Sequence, residues 1–270
     1  MSMNAWRKSR TTKISASSFF EHQAMQIIPV IDIKDGVVVH AIAGQRNEYE
    51  PIQSQLACDA TPGQVAAALR DHTGCSLFYL ADLSAIAGAT PDWAAYDAIA
   101  TTGASLMIDA GLSAPDSARD FMTQAESLDY IDGVVIALEA LTSCDDLSEL
   151  QQITNDRGIF SLDLQAGQLL THVEALRQRS PLEMGQHAIR AGFQRLIVLD
   201  LAQVGVSGGV STHHLCRALS VRFPGVKLIS GGGVRHRDDL DQLQAAGCHG
   251  ALVASALHNR TLSLEPPDTH

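Results

Sequence analysis

The sequence predicts an α/β protein that folds as a (β/α)8 TIM barrel built of two half-barrel repeats. Three observations predict this fold: eight short apolar segments recur along the chain, helical patterns separate them, and the second half repeats the first. Apolar strands without polar alternation are typical of a parallel sheet buried on both faces. Eight strand–helix units in about 240 residues match the usual size of a barrel, with a doubly wound sheet as the alternative.

The predicted strands consist mainly of aliphatic and β-branched residues. In chain order they are Ile27–Ile33, Leu77–Leu83, Ser105–Ala110, Gly133–Leu138, Ile159–Leu164, Leu196–Leu201, Lys227–Ser230 and Gly250–Ala254. Helix signals are clearest in Thr61–Asp71, Pro181–Ala191 and Asp238–Ala246. The first of these has a threonine suited to an N-cap followed by proline, and the other two end close to a glycine.

Four segments of the first half have counterparts in the second half, in the same order and at offsets of 117 to 131 residues. The matched pairs are PVIDIKDG at Pro29 with FSLDLQAG at Phe160, LFYLADLSAIAG at Leu77 with RLIVLDLAQVG at Arg195, MIDAGL at Met107 with ISGGGV at Ile229, and GVVIALEAL at Gly133 with GALVASAL at Gly250. Ordered matches at a near-constant spacing indicate two half-barrels of four units each.

Composition and charge exclude several classes of protein. The chain has 270 residues, of which 46% are hydrophobic, and a formal net charge of −11. Such an acidic chain argues against nucleic acid and anionic membrane surfaces as partners, and no apolar run reaches the ~20 residues of a membrane span. Its five cysteines show no CxxC spacing, which favours reduced thiols in a cytoplasmic protein over disulfides or a zinc site.

Residues 1–24 differ in composition from the rest of the chain. They contain four basic residues and one acidic residue around a Ser/Thr-rich centre, without the apolar core of a secretion signal. We expect a disordered N-terminal extension, or an early translation start ahead of Met25. Residues 25–270 then form the single barrel domain.

Two aspartates are the first candidates for catalytic residues. Active sites of such barrels form at the carboxyl ends of the strands, and Asp32 and Asp163 end the first and fifth predicted strands on opposite sides. Two carboxyls with different pKa values suit acid–base catalysis, and capping of loop amides is the alternative role. Asp82 and Asp200 end more ordinary strand–loop junctions, for which a structural role is favoured.

The loops after the seventh and eighth strands predict a phosphate site. Glycines without Cβ atoms let backbone amides approach an anion closely, and barrels frequently bind phosphate in these two loops. The candidate phosphate- and substrate-binding residues are Ser230, Gly231, Gly232, Gly233, Ala254, Ser255, Ser207 in the loop after the sixth strand, His40 and Asp109.

The rim of the first half is acidic. Asp109 and Glu139 follow the third and fourth predicted strands, and oxygen ligands of this kind suit magnesium or calcium. Because no compact ligand spacing appears, the sequence predicts neither a metal site nor a cofactor.

Taken together, these motifs resemble the histidine-biosynthesis barrel family, and within it the ProFAR isomerase (HisA) branch. The resemblance runs from Gln26 to Leu262 and is carried by IIPVIDIKDGVVV, FSLD, SGGGV and GALVASAL. It implies an Amadori rearrangement of an aminoaldose to an aminoketose, with Asp32 as general base and Asp163 as general acid.

Several positions depart from the family pattern. Asp109–Gly111 stands where GGG is usual, Ala137–Glu139 replaces a Gly/Ser turn, and Val204–Val206 replaces Asp-Gly-Thr. His40 stands where an arginine is usual. Carboxylates repel a phosphate dianion, so the first-half phosphate site of the family is lost. The chain therefore resembles diverged paralogues, such as the ProFAR-isomerase-related proteins of methanogens and C1-metabolising bacteria.

Three functions follow from these observations. The leading hypothesis is a HisA-like isomerase of a phosphorylated, sugar-derived metabolite that works by Asp/Asp acid–base catalysis and holds one phosphate. The first alternative is authentic ProFAR isomerase of histidine biosynthesis. The second is an enzyme or a non-catalytic ligand-binding barrel in one-carbon, pterin-type cofactor biosynthesis. The expected partner is a phosphorylated small molecule, and the sequence carries no indication of oligomeric state.

Overall fold

A computed structural model describes residues 25–42, 44–205 and 210–262 of the chain. The predicted N-terminal extension and Ser207 lie outside these residues. The described strands are β1 (Gln26–Lys34), β2 (Val37–Val39), β3 (Leu77–Asp82), β4 (Ser105–Asp109), β5 (Ile131–Ala137), β6 (Gly158–Gln165), β7 (Gln168–Leu169), β8 (Arg195–Asp200), β9 (Lys227–Gly231) and β10 (Gly250–Val253).

Eight of these strands form a closed parallel barrel. They pair in the order β1, β3, β4, β5, β6, β8, β9 and β10, and β10 returns to pair with β1 through Gln26–Pro29 and Gly250–Val253. Each of the eight coincides with a strand predicted from the sequence. The (β/α)8 prediction is thus confirmed, and closure of the sheet excludes the open doubly wound alternative.

Helices connect the strands and cover the outside of the barrel. They are α1 (Pro62–Thr73), α2 (Leu83–Ile86), α3 (Trp93–Ala100), α4 (Pro115–Ala125), α5 (Leu147–Thr154), α6 (Pro181–Arg190), α7 (His213–Arg222), α8 (Arg237–Ala245) and α9 (Ser255–His258). No helix in the described part of the chain combines the length and apolar character that a membrane span requires.

The helix signals of the sequence act largely as expected. Ser180 caps α6, where its hydroxyl accepts from the amide of Glu183 and the Glu183 carboxylate accepts from the amide of Ser180. Thr61 occupies the N-cap position of α1, but its hydroxyl donates to Asp59 at 2.7 Å instead of accepting from the helix. Proline in the first turn remains the start signal of α1.

Alternate strand residues belong to two apolar layers. One layer lies between the strands and the helices and includes Ile31, Phe78 and Leu106. The other fills the barrel and contains, among others, Ile28, Tyr79, Met107, Val135, Ile159, Ile197, Ile229 and Leu252. Since both faces of the sheet are buried, the strands read as continuous apolar runs.

Matching two-residue turns support the half-barrel repeat. Asp35 and Gly36 connect β1 to the antiparallel β2 with φ values of +51° and +79°. Ala166 and Gly167 connect β6 to the antiparallel β7 with φ values of +51° and +78°. Positive φ at both central residues defines the hairpin turn whose twist suits paired strands. The segments matched at Pro29 and Phe160 therefore adopt the same local structure.

Asp82 and Asp200 hold loops, in agreement with the structural role favoured for them. Both side chains are almost fully buried. Asp82 accepts from the amides of Ala85 and Asp92 and from the hydroxyl of Tyr96, at 2.7–3.0 Å. Asp200 accepts from three backbone amides at 2.8–3.1 Å, those of Ala166, Gly167 and Ala202.

Candidate active site

A cavity of about 200 Å³ opens at the carboxyl-terminal ends of the barrel strands. Four carboxylates line it: Asp32, Asp109, Glu139 and Asp163. The loops after β9 and β10 contribute to the same cavity. The structure thus brings the predicted aspartate pair, the predicted acidic rim and the predicted phosphate loops into one pocket.

Asp163 lies deep in the cavity wall and is 4% exposed. Its carboxyl accepts from the hydroxyl of Ser161 at 2.6 Å and from the backbone amide of Glu139 at 3.3 Å. Burial raises the pKa of Asp163 well above its usual range, and the Glu139 carboxylate raises it further. These surroundings favour the protonated form, which can donate a proton.

Asp32 faces the same cavity but is partly accessible. Desolvation raises the pKa of Asp32 from 3.8 to about 7. The guanidinium of Arg46 opposes this shift, while the Asp109 carboxylate adds to it. Near neutral pH, Asp32 therefore exchanges between the acid and the base form, as a general base requires.

Asp109 ends β4, just before the loop that corresponds to the proposed phosphate loop of the second half. Its carboxylate accepts from the amide of Gly111 at 3.0 Å and from the hydroxyl of Tyr79 at 3.2 Å. Burial raises the pKa of Asp109 to about 6, and the Gly111 hydrogen bond lowers it. In the repeat, Gly111 corresponds to Gly233. An amide that would face an anion is thus already bonded to a side-chain oxygen.

Arg46 brings a positive charge to the acidic side of the cavity. It forms an ion pair with Glu139, and its carbonyl oxygen accepts from the Lys34 ammonium at 3.1 Å. Arg46 could not be singled out from the sequence, because it lies in a long loop and meets Glu139 only in the folded chain. Tyr79 was missed as well, because the sequence does not show which alternate residues of β3 point into the barrel.

The glycine loop after β9 contributes Gly232 and Gly233 to the cavity, with φ values of +79° and +82°. Gly231 precedes them, packed against Leu252 of β10. A Cβ at Gly231 would lie 2.7 Å from the carbonyl oxygen of Leu252. Glycine is therefore required at this position, where the ends of β9 and β10 are in close contact and the two loops begin.

Ser230 does not fit the predicted role of a phosphate ligand through its side chain. It is fully buried, its hydroxyl donates to the carbonyl of Val198 at 2.7 Å, and it lies 2.6 Å from the Thr212 hydroxyl. The alternation of strand residues explains this correction, since Ile229 points into the barrel and Ser230 therefore points toward the helices.

The loop after β10 places Ala254 and Ser255 in the cavity wall. Ser255 is the first residue of α9, and the first amides of a helix have no partner within it. The Ser255 hydroxyl lies 3.2 Å from Nε2 of His40, so the predicted residue His40 reaches this loop. Arg235, which the sequence analysis did not single out, also lines the cavity and pairs with Asp239.

Metal chemistry has no obvious site within the described residues. No three His, Cys, Asp or Glu side chains there are grouped to hold an ion. The carboxylates of the cavity instead bond to amides, hydroxyls and Arg46.

Comparisons with known proteins identify the family of this chain. The family profile described as "Histidine biosynthesis protein" matches residues 26–263. An uncharacterised protein of Methanocaldococcus jannaschii is 30% identical over 89% of this chain and 96% of the relative. The phosphoribosyl-imidazole-4-carboxamide isomerase (ProFAR isomerase) of Halobacterium salinarum is 26% identical over 90% of this chain and 95% of the relative. The isomerase of the same name from Streptococcus thermophilus is 25% identical over 89% of this chain and 97% of the relative. The chain belongs to the histidine biosynthesis protein family and is related to its isomerases.

Proposed function

We propose that this protein is an isomerase of the aldose–ketose, Amadori type that acts on a sugar-derived metabolite carrying one phosphate. The observation that carries the proposal is the composition of the cavity. Asp32 and Asp163 face it together. Among the described residues, the glycines that line the cavity all lie in loops of the second half. Relatives named as ProFAR isomerases support the reaction type.

The two aspartates divide the proton transfers between them. Protonated Asp163 donates to the ring oxygen of the sugar, which opens the ring and leaves an iminium at carbon 1. Asp32 then removes the proton from carbon 2, which leaves an enolamine. The enolamine tautomerises to the ketose when carbon 1 gains a proton and the hydroxyl on carbon 2 loses one. The difference in environment supports this division, because Asp163 is the more buried carboxyl and Asp32 titrates near neutral pH.

The phosphate would lie between the loops after β9 and β10. The backbone amides of Gly232 and Gly233 and the start of α9 supply donors, and Arg235 adds a positive charge to the cavity wall. On the opposite side, Asp109 and Glu139 present negative charge where a second phosphate would lie. A dianion near these carboxylates would be repelled.

A second candidate function is authentic ProFAR isomerase, because relatives named for that activity cover nearly the whole chain. The substrate of that enzyme carries two phosphates, and Asp109 argues against the second. Complementation of an isomerase-deficient histidine auxotroph distinguishes the two. Growth would support the second candidate, whereas failure to grow with normal expression would support the monophosphate substrate.

The catalytic roles are tested by Asp32→Asn and Asp163→Asn, each compared with Asp116→Asn on the surface. With a turned-over sugar phosphate, each active-site variant should lose activity by about 10²-fold or more, since proton transfer contributes this much. Unchanged turnover in both variants would refute the assignment. Crystals soaked in sulfate should hold one anion near Gly233 and none near Asp109.

A further inference from the structure

Two cysteines that are distant in the sequence meet in the apolar layer between the strands and the helices. Cys216 lies on α7 and is fully buried, whereas Cys248 lies just before β10 and is 6% exposed. Their thiols are hydrogen-bonded to each other. Neither cysteine lines the main cavity, so the pair is separate from the candidate active site.

The surrounding backbone holds the two cysteines together. The Ser220 hydroxyl oxygen on α7 lies 2.9 Å from the carbonyl oxygen of Ala246. A Cβ added at Gly247 would lie 2.6 Å from both the Cβ and the hydroxyl oxygen of Ser220. The chain just before Cys248 therefore lies directly on α7. Cys216 is one helical turn before Ser220, on the same face, so it is directed at this segment.

The two thiols differ in how readily they lose a proton. The hydrogen bond from the Cys248 thiol lowers the pKa of Cys216, although burial opposes this. The same hydrogen bond, together with burial, raises the pKa of Cys248. Because the thiolate is the form that reacts with oxidants, Cys216 is the nucleophile of the pair. Cys248 is then the adjacent thiol that can resolve an oxidised Cys216.

A bound metal ion is a poorer explanation for this pair. A structural zinc ion takes four protein ligands. His249 follows Cys248, but its Nδ1 accepts from the amide of Leu228 at 3.3 Å. Across the residues that the structure describes, no three potential metal ligands are grouped. The chemistry open to the two thiols is therefore reaction with each other.

We propose that Cys216 and Cys248 are a redox modification site, which hydrogen peroxide converts into a reversible disulfide between α7 and the start of β10. The thiolate sulfur of Cys216 attacks one peroxide oxygen, the O–O bond breaks, and the other oxygen takes up a proton and leaves as water. The Cys248 sulfur then attacks the sulfenic acid on Cys216. The S–O bond breaks, and a second water leaves with the proton of the Cys248 thiol. Two thiols and one peroxide thus give one disulfide and two waters.

The fold accommodates both the oxidant and the bond. Hydrogen peroxide is a small neutral molecule, and local opening beside the partly exposed Cys248 admits it. A disulfide joins its sulfur atoms at about 2.05 Å, so two thiols already in contact need only a small shift of their side chains. The bond closes a loop of about 30 residues, which restricts the unfolded chain and stabilises the folded one.

Peptide mapping of the full chain tests this site. Reduced protein is treated with hydrogen peroxide, its remaining thiols are alkylated, and the chain is digested with trypsin. We expect residues 196–217 and 238–260 to appear as one linked pair, which dithiothreitol separates. Oxidation in urea is the control for proximity, because an unfolded chain should distribute its disulfides over all five cysteines.

Variants and thermal melts complete the test. Cys216→Ala and Cys248→Ala should each abolish the linked peptides, whereas the exposed Cys58→Ala should retain them. Melts before oxidation check that each variant folds. The oxidised, alkylated wild type should melt roughly 5–10 °C above the reduced protein, and dithiothreitol should reverse this increase. Absence of the linked peptides from the folded chain, pairing of either cysteine with another one, or a melting temperature that does not rise would each overturn the proposal.

Discussion

Replacing Gly231 with alanine tests whether the close contact of β9 and β10 positions both proposed phosphate loops. Gly231 ends β9 and is paired with Leu252 of β10. An added Cβ would lie 2.7 Å from both the Cβ and the carbonyl oxygen of Leu252, whereas ordinary contacts begin near 3.4 Å. The two strands would have to separate locally by roughly 0.7 Å, because a backbone carbonyl cannot rotate away as a flexible side chain can.

The expected cost follows from overpacking a rigid site. Adding a methyl group to such a site typically destabilises a protein by about 1–3 kcal/mol. For a barrel of this size, each kcal/mol lowers the melting temperature by about 2–4 °C, so a decrease of roughly 2–12 °C is expected. The same displacement moves the amides of Gly232 and Gly233, and sulfate affinity should fall by about tenfold.

Gly225→Ala is the matched control. A Cβ at Gly225 meets nothing within 4 Å, and the residue is absent from the positive-φ glycines. Its stability should equal or slightly exceed that of the wild type, because alanine restricts the unfolded chain. Thermal denaturation followed by circular dichroism and sulfate titration compare the two variants. If Gly231→Ala and Gly225→Ala have the same melting temperature and the same affinity for sulfate, the strand contact does not constrain the loops.

Three further predictions concern charge and burial. Asp109→Asn should lower the pKa of Asp32, and Arg46→Met should raise it, because each removes one charge that acts on this carboxyl. A carboxyl ¹³C NMR titration would detect both changes. Shifts in the same direction in both variants would contradict the opposite effects of the two charges on Asp32. Because the folded pKa of Asp32 is raised from 3.8 to about 7, its stabilising contribution is lost as pH rises through 7. Asp32→Asn should therefore raise the melting temperature more near pH 8 than near pH 5, and a uniform increase would exclude this linkage. Asp82→Ala leaves three donors without an acceptor and should lower the free energy of unfolding, measured by urea denaturation, by ~2–4 kcal/mol. The exposed Asp116→Ala should lower it by less than ~0.5 kcal/mol. Equal losses in the two variants would refute the role of Asp82 in holding its loop.

The strands could be predicted from the sequence because each is a short apolar run bounded by loop residues. Ile27–Ile33 and Ile159–Leu164 become β1 and β6, each extended by one residue at both ends. The repeat then indicated that the units form two equivalent halves. Its strongest local sign, the hairpin turn of Asp35 and Gly36, recurs at Ala166 and Gly167 because only a few turn geometries join such strands.

The direction of each side chain could not be predicted in the same way. Alternation separates the two faces of a strand, but both faces of this sheet are apolar, so the sequence does not show which face lines the barrel. Ser230 was expected in the cavity and points toward the helices, where it contacts Val198 and Thr212. Tyr79 was not singled out and yet points into the barrel toward Asp109.

By itself, the sequence determined the barrel, its repeat and the three motifs of the cavity, since these depend on local hydrophobicity and on residue types at strand ends. Only the tertiary structure decided which groups meet. Arg46 reaches Glu139, Tyr79 bonds to Asp109 and His40 contacts Ser255, in contacts that span up to 215 residues. The pKa values of Asp32 and Asp163 depend on the burial that this closure creates, because desolvation is their largest cause.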